Sequence, residues 1–269
     1  MNGQVGFIGC GKMAQAMIQG MLTSGILSPE QIIVSARTEE TLISVKDQFH
    51  IKTSTNNEMV ARDADYLFLA VKPDLYTEVI NEVKNVMKED AIVITIAAGI
   101  SLDFIEKTFG RRVKVVRSMP NTPSLVGEGM SALCASNSVH SDEMIDVIRL
   151  FESFGKAEVI EEKLMDAIPA ISGSSPAYVY MFIEAMADGA VIQGIPREKA
   201  YKLAAQAVLG AAKMVLETGL HPGELKDNVC TPGGATIQAV AELEKHGFRS
   251  SVISAMERCT KKSVELSKG

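Results

Sequence analysis

The chain has 269 residues, 46% of them hydrophobic, which is enough for one large domain or two modest ones with real cores. Its formal net charge of −6 shows no basic excess, so nucleic acid is not an expected partner. The strongest apolar run, Ala91–Ile100, is half the roughly 20 residues a membrane helix needs, and Met1-Asn2-Gly3-Gln4 leads directly into a strand-like segment; the expectation is a soluble cytoplasmic protein with no membrane contact and no targeting signal.

Taken in chain order, Val5–Ile8, Ile32–Ser35, Tyr66–Val71, Ala91–Ala97 and Val113–Ser118 are near-continuous apolar runs. Runs of that kind read as strands buried on both faces. Met13–Ser24, Glu39–Phe49 and Leu75–Met87 lie between them and carry helical spacing. The alternation predicts an α/β fold with a Rossmann-type, doubly wound, mostly parallel sheet. Met130–Ala135 and Ala157–Ile160 extend one edge, with helical Asp142–Phe154 between them. Beyond about Glu162 strand-like runs vanish. Helical patterns take over at Leu164–Ile192 (interrupted by Ser-Gly-Ser-Ser-Pro), Pro196–Glu217, Gly233–Lys245 and Phe248–Ser267. Pro196 suits a helix start and Gly219 a position past a helix end. The expected division is a dinucleotide-binding domain over 1–162 and an all-α domain over 163–269.

Within the helical part, Ala204-Ala205-Gln206-Ala207-Val208-Leu209-Gly210-Ala211-Ala212 is rich in small residues nearly all round, so the helix should be buried on most sides. A helical domain of this size rarely hides such a helix unaided, and burial against a second subunit is expected. Cys10, Cys134, Cys230 and Cys259 are scattered with no C-x-x-C pair, which argues against a disulfide framework or a metal site. They read as small space-filling thiols, and the 14 methionines as core fillers.

Gly9-Cys10-Gly11-Lys12-Met13-Ala14 matches G-x-G-x-x-A between the first strand, which ends at Ile8, and the first helix. In that context each small residue has a reason: the tight turn, the close approach of a pyrophosphate, and helix packing. Ile8, Gly9, Cys10, Gly11, Lys12 and Met13 are therefore expected to touch a dinucleotide. The second strand ends Ser35-Ala36-Arg37-Thr38 with no acid at its tip. Ser35 and Arg37 suit a 2′-phosphate, predicting NADPH over NADH, although a solvent-facing Arg37 would have the same sequence.

A second loop stands out in the helical part: Thr231-Pro232-Gly233-Gly234-Ala235-Thr236, running into Ile237-Gln238-Ala239-Val240-Ala241-Glu242-Leu243 with helical apolar spacing. Thr231 can cap the helix, Pro232 tolerates a first-turn position, and two glycines leave backbone N–H groups open to a bound group. Bare amides at a helix start receive small anions such as carboxylates. An ordinary Pro-Gly-Gly turn between two helices would look the same.

The whole run His221–Thr236 resembles the signature of the pyrroline-5-carboxylate reductases, as do Met119-Pro120-Asn121-Thr122-Pro123, Ser172-Gly173-Ser174-Ser175-Pro176-Ala177-Tyr178 and His246-Gly247-Phe248-Arg249. The resemblance spans the chain, with Ser175 standing where some members have glycine. It implies hydride transfer from NADPH, or NADH, to the C=N carbon of 1-pyrroline-5-carboxylate, giving L-proline. It also implies a homo-oligomer, a dimer or an assembly of dimers, held by the helical domain. Backbone around Ala70, Val71, Lys72, Pro73 and Ala97 would flank the nicotinamide-ribose half, and Asn56 would lie near the adenosine ribose. Gly233, Gly234 and Ala235 would bind the substrate carboxylate, with Thr236 as the side chain acting on the carboxylate or the ring nitrogen. Asn228 and Glu162 match positions near the nicotinamide and the substrate. Without the family, Glu162 is one charge in Glu158…Glu161-Glu162-Lys163, a pattern of solvated faces.

Two other classes fit the architecture. A β-hydroxyacid dehydrogenase needs a proton acceptor for an alcohol, commonly a lysine on the first inter-domain helix. Pro176–Gln193 holds no Lys or His, only Glu184 and Asp188 besides Tyr178 and Tyr180, which favours imine chemistry. A non-catalytic NADPH-binding protein would leave the carboxylate-binding turn unexplained.

Overall fold

In a computed structural model that describes residues 3–267, eight strands form one sheet in the order β3-β2-β1-β4-β5-β6-β7-β8. They are β1 (Val5–Ile8), β2 (Ile32–Ser35), β3 (Lys52–Ser54), β4 (Tyr66–Leu69), β5 (Ile92–Thr95), β6 (Lys114–Met119), β7 (Gly129–Ala135) and β8 (Gly155–Val159). All neighbours pair in parallel except β6 and β7. The Met1-Asn2 start lies outside the described residues.

Period-two geometry explains why the strands read as continuous apolar runs. Val5 and Phe7 of β1, Ile32 and Val34 of β2, and Phe68 of β4 point to one face. Ile8, Ile33, Leu67 and Leu69 point to the other. Helices α1 (Lys12–Thr23), α2 (Glu39–Phe49) and α6 (Ser141–Glu152) cover the first face with Met17, Val45 and Phe151. Helices α3 (Asn57–Asp63), α4 (Tyr76–Val83) and α5 (Leu102–Phe109) cover the second with Val60, Ile80 and Ile105. Phe7 stacks on Phe68 at a centroid distance of 4.5 Å, and Phe68 meets Phe151 at 5.9 Å, which ties α6 to the centre of the sheet.

Three elements have no strong sequence signal: β3, α3 and α5. Lys52-Thr53-Ser54 is a polar edge strand without the apolar run of its neighbours. α3 and α5, of 7 and 8 residues, are too short to establish a period, although Asn56 and Ser101 cap them with side-chain oxygens.

The remaining helices are α7 (Ser175–Ile192), α8 (Arg197–Thr218), α9 (Pro222–Val229), α10 (Ala235–Lys245) and α11 (Phe248–Ser267). The expected start of α7 at Leu164 is too early. A 3₁₀ segment, Glu162–Ala167, and a π-turn, Pro169–Gly173, precede Ser175 instead. The chain divides into two compact units, one running to Ser174 and taking in the end of α11 from Cys259, the other Ser175–Arg258. The compact division thus falls after Ser174, whereas strand-like sequence ends near residue 162, because the 3₁₀ and π segments pack with the sheet unit: Met165 and Ala170 are buried there.

In the second unit only Ala187, Ala200 and Ala204 are buried among the described residues. Met181, Ile192, Leu203, Leu209 and Leu216 are each more than half exposed. The small-residue helix α8 therefore lacks, within one chain, the burial its sequence calls for. No helix of the described residues is long and apolar enough to cross a membrane.

Candidate active site

Strand order reverses between β1 and β4, so the connections after these two strands leave in opposite directions and open a crevice at the carboxyl edge. The two glycines of the first loop serve different ends there. Gly9 has φ +93°, and a Cβ would stand 2.5 Å from the Ala70 carbonyl oxygen. Its N–H donates to the Ser35 carbonyl at 2.9 Å, and the Ala70 N–H donates to the Ile8 carbonyl at 2.8 Å. Gly9 is thus dictated by protein packing. Gly11, the N-cap of α1, has φ −73°, which any residue adopts, and a Cβ there meets no protein atom within 4 Å. The space over Gly11 suits a ligand. The first turn of α1 carries no acidic residue and no side-chain cap, so its amides suit a pyrophosphate, while buried Ala14 packs the helix on the sheet.

A cleft of about 630 Å³ begins at this loop. Ile8, Gly9, Cys10, Arg37, Ala70, Val71 and Lys72 line it together. Gly11, Lys12 and Met13 form the adjoining start of α1, and Pro73 opens a 3₁₀ turn, Pro73–Leu75, next to the lining loop. Ala97 is buried just beyond β5. Burial pushes the Cys10 thiol up to about 12, so it is neutral and supplies bulk rather than a nucleophile.

Two of the expected contact residues have side-chain oxygens engaged within the protein. Ser35 is fully buried, and its hydroxyl donates to Asn57 Oδ1 at 2.7 Å rather than facing the cleft. Asn56 uses its side-chain oxygen to cap α3, accepting the Met59 N–H at 3.1 Å. Its neighbour Asn57 lines the cleft and donates to Glu82 Oε2 at 2.8 Å. In sequence the two asparagines are indistinguishable; the turn into α3 decides which one caps and which one reaches out. Glu82 also went unread, because it comes from the last turn of α4 rather than from the tip of β2. Arg37 and Lys72 accordingly share the cleft with Asp74, Glu78 and Glu82.

Glu162 is not on a solvated face. Its Oε1 accepts the Leu102 N–H at 2.7 Å, capping α5, and lies 3.7 Å from the Arg117 guanidinium. Arg117, whose side chain is only 4% exposed within β6, also pairs with Asp166 at 2.6 Å. A strand residue between Val116 and Ser118 gave no hint that its buried guanidinium meets two half-exposed carboxylates.

In the second unit the glycine corner differs from its expected form. Thr231 is not the cap, and Pro232 is not in the first turn. Gly234 N–H donates to the Thr231 carbonyl at 3.0 Å, with Gly233 at φ +73°. Thr231–Gly234 is a Pro-Gly turn of the type that places glycine third, because only there is positive φ required. Gly234 is the N-cap of α10 and has no side-chain cap. A Cβ on Gly234 would collide with the Thr231 hydroxyl. Both glycines are therefore needed, for separate reasons, and the amides of Ala235 and Thr236 open the helix with no acidic residue in its first turn. Thr236 is half-buried and Asn228, near the end of α9, is exposed. His221, which the sequence did not mark, caps α9 by accepting the Gly223 N–H on Nδ1 at 3.0 Å.

The contrast between the first-loop glycines gives a direct test. Gly9→Ala should lower thermal stability by about 2 kcal/mol or more, through the clash with the Ala70 carbonyl and the positive φ. Gly11→Val should leave the melting temperature unchanged and weaken NADPH binding, as read by titration. Equal melting temperatures for the two variants would contradict the assignment.

Two family models match the chain: one described as pyrroline-5-carboxylate reductase dimerisation over residues 162–266, the other as NADP oxidoreductase, coenzyme F420-dependent, over residues 4–99. The pyrroline-5-carboxylate reductase of Escherichia coli (strain K12) is 48% identical, with 100% of both chains covered. That of Methanosarcina acetivorans is 43% identical over 99% of each. Among solved structures, a pyrroline-5-carboxylate reductase from Coxiella burnetii superposes with a TM-score of 0.94 at 35% identity, covering both chains entirely. The Plasmodium falciparum pyrroline carboxylate reductase with NADP bound gives 0.88 at 34% identity, covering 99% of this chain and 98% of its own. With a glycine-shaped crevice in one unit, a double-glycine helix start in the other and kinship along its full length, the chain belongs to the pyrroline-5-carboxylate reductase family.

Proposed function

We propose that this protein reduces 1-pyrroline-5-carboxylate to L-proline with NAD(P)H. Full-length identity of 48% to a pyrroline-5-carboxylate reductase carries this conclusion. The β-hydroxyacid dehydrogenase and non-catalytic readings are not favoured.

A bound reduced nicotinamide supplies the hydride that the imine carbon takes up. The chain's own task is then proximity, orientation and a grip on the carboxylate, because a protonated imine is already electrophilic. In the first unit, backbone at Gly9–Met13 holds the pyrophosphate, and backbone at Ala70–Pro73 and at Ala97 holds the nicotinamide-ribose half. Asn57, which lines the cleft, joins Asn56 as a group beside the adenosine. In the second unit, the amides of Ala235 and Thr236 that open α10 receive the carboxylate, the Gly233-Gly234 corner keeps side chains out of its way while the Gly234 N–H holds the turn, and the Thr236 hydroxyl orients the carboxylate or the ring nitrogen. Glu162, already engaged by Leu102 and Arg117, supports the β5–α5 connection, and Asn228 stays a candidate by resemblance.

NADPH is the preferred cofactor in this proposal, on the strength of Arg37 in the cleft wall and Thr38 capping α2 beside it. The second unit closes its exposed apolar helices against a second copy, giving a dimer or an assembly of dimers. Four free thiols suit a cytoplasmic enzyme.

Three measurements bear on these assignments. Thr236→Ala should lower kcat/KM for the imine by about 1–3 kcal/mol of transition-state stabilisation, roughly five- to 150-fold; an unchanged value would remove Thr236 from the site. Arg37→Ser should lower kcat/KM for NADPH about tenfold while leaving NADH little changed, and a wild-type preference for NADH would overturn the cofactor assignment. Light scattering on the purified protein should give an even multiple of 28.9 kDa, and a particle of one chain mass would refute the dimer.

A further inference from the structure

A chain of buried hydroxyls ties together the two strands from which the lower lip of the crevice springs. Leu69 and Thr95 are the last paired residues of β4 and β5. Beyond them the strands part, toward Ala70–Lys72 on one side and Ala97 on the other. Tyr76, the first residue of α4, is fully buried, and its hydroxyl donates to the Leu69 carbonyl at 2.6 Å. The same oxygen lies 2.8 Å from Thr95 Oγ1, and the Ala97 N–H reaches Thr95 Oγ1 at 3.4 Å. A phenol has one proton. With that proton on the Leu69 carbonyl, Thr95 must be the donor in its bond to Tyr76, and the Ala97 amide donates to Thr95 in turn. All donors then point one way, from the β5 connection to the end of β4, an arrangement in which each bond polarises the next. Separately from this relay, Ser118 Oγ of β6 donates to the Thr95 backbone carbonyl at 2.8 Å.

The geometry matters because of what lies between the bonded groups. Leu69 and Tyr76 bracket the segment whose Ala70, Val71, Lys72, Asp74 and Leu75 line the cleft. One phenol oxygen therefore staples both ends of that loop and joins it to the β5 connection. A tyrosine hydroxyl in an apolar core is disfavoured unless bonded, and a phenylalanine would fill this space without that demand. Burial pushes the Tyr76 phenol up to about 12, so its proton stays in place at working pH.

We infer that Tyr76 and Thr95 are positioning residues for the nicotinamide half of the cofactor: their hydroxyl latch sets the spacing of the loops after β4 and β5. The inference rests on the placement of those loops beside the nicotinamide ribose proposed above. Neither residue touches the cofactor; both act through the backbone at Ala70 and Ala97.

The test compares Tyr76→Phe, Thr95→Val and Thr95→Ser with the wild type by titration with NADPH and with adenosine 2′,5′-bisphosphate, after melting temperatures have shown each to be folded. Tyr76→Phe and Thr95→Val should raise the NADPH Kd about five- to tenfold, the effect of one lost buried hydrogen bond, with the bisphosphate Kd within about twofold of wild type. Thr95→Ser keeps the oxygen and should keep the NADPH Kd. The latch is overturned if NADPH binds the first two variants as it binds the wild type, if both ligands weaken by the same factor, or if Thr95→Ser is as damaged as Thr95→Val. A wild-type chain that binds NADPH but not the bisphosphate would instead refute the adenosine placement, and the NADPH comparison among the variants would still decide the latch.

Discussion

The approach of the Ala70 carbonyl to the α-carbon of Gly9 is the constraint around which the cofactor unit is built. It holds the turn after β1 against the turn after β4 at the one place where sheet connections diverge. A side chain at residue 9 would push the two turns apart. Glycine there also permits the positive φ that turns the chain back into α1, so one missing methyl group serves both the closure and the direction of the helix. The helix then delivers its uncapped amides to the space over Gly11, where nothing of the protein intrudes.

The sheet was legible because it is covered on both faces, which makes each central strand a short apolar block; β1 and β2 begin and end where their sequences indicate. What escaped reading was local or long-range. β3 lies at the edge and carries polar residues, α3 and α5 are too short for periodicity, and α9 is not among the helices the sequence pattern indicates. Gly9 and Gly11 could be read because backbone conformation and close approach are written in the residue itself. Ser35 could not, since its role depends on Asn57, 22 residues away, and on whether its hydroxyl points inward. Glu82 and Arg117 gave no signal because their partners come from other elements. Thr231 and Pro232 misled by one kind of ambiguity: Thr-Pro before a helix serves equally as cap and first turn, or as the entry to a Pro-Gly corner. The deciding fact is the positive φ at Gly233.

The family resemblance stood on a different footing from these physical readings. Periodicity and loop chemistry lead to a dinucleotide fold and an anion-receptive helix start, and stop there. The choice of imine over other substrates came from a run of residues, His221–Thr236, whose individual members have modest meaning. Their structure supplies the reason such a run is specific. His221 caps α9, Gly233 requires positive φ, and Gly234 must clear the Thr231 hydroxyl, so three separate steric or hydrogen-bonding demands fall within fourteen residues.

The second unit poses the opposite problem from the first. The sheet unit buries its apolar side chains within one chain, while the helices of Ser175–Arg258 leave theirs largely in water, with only three alanines covered. Apolar side chains exposed to that extent mark an interaction surface, because each exposed leucine or methionine forgoes about 1.5–3 kcal/mol of burial. The match of residues 162–266 to a dimerisation family identifies where that area goes: homo-oligomerisation runs through the carboxyl-terminal region. The same segment holds the corner proposed to grip the substrate, at the start of α10.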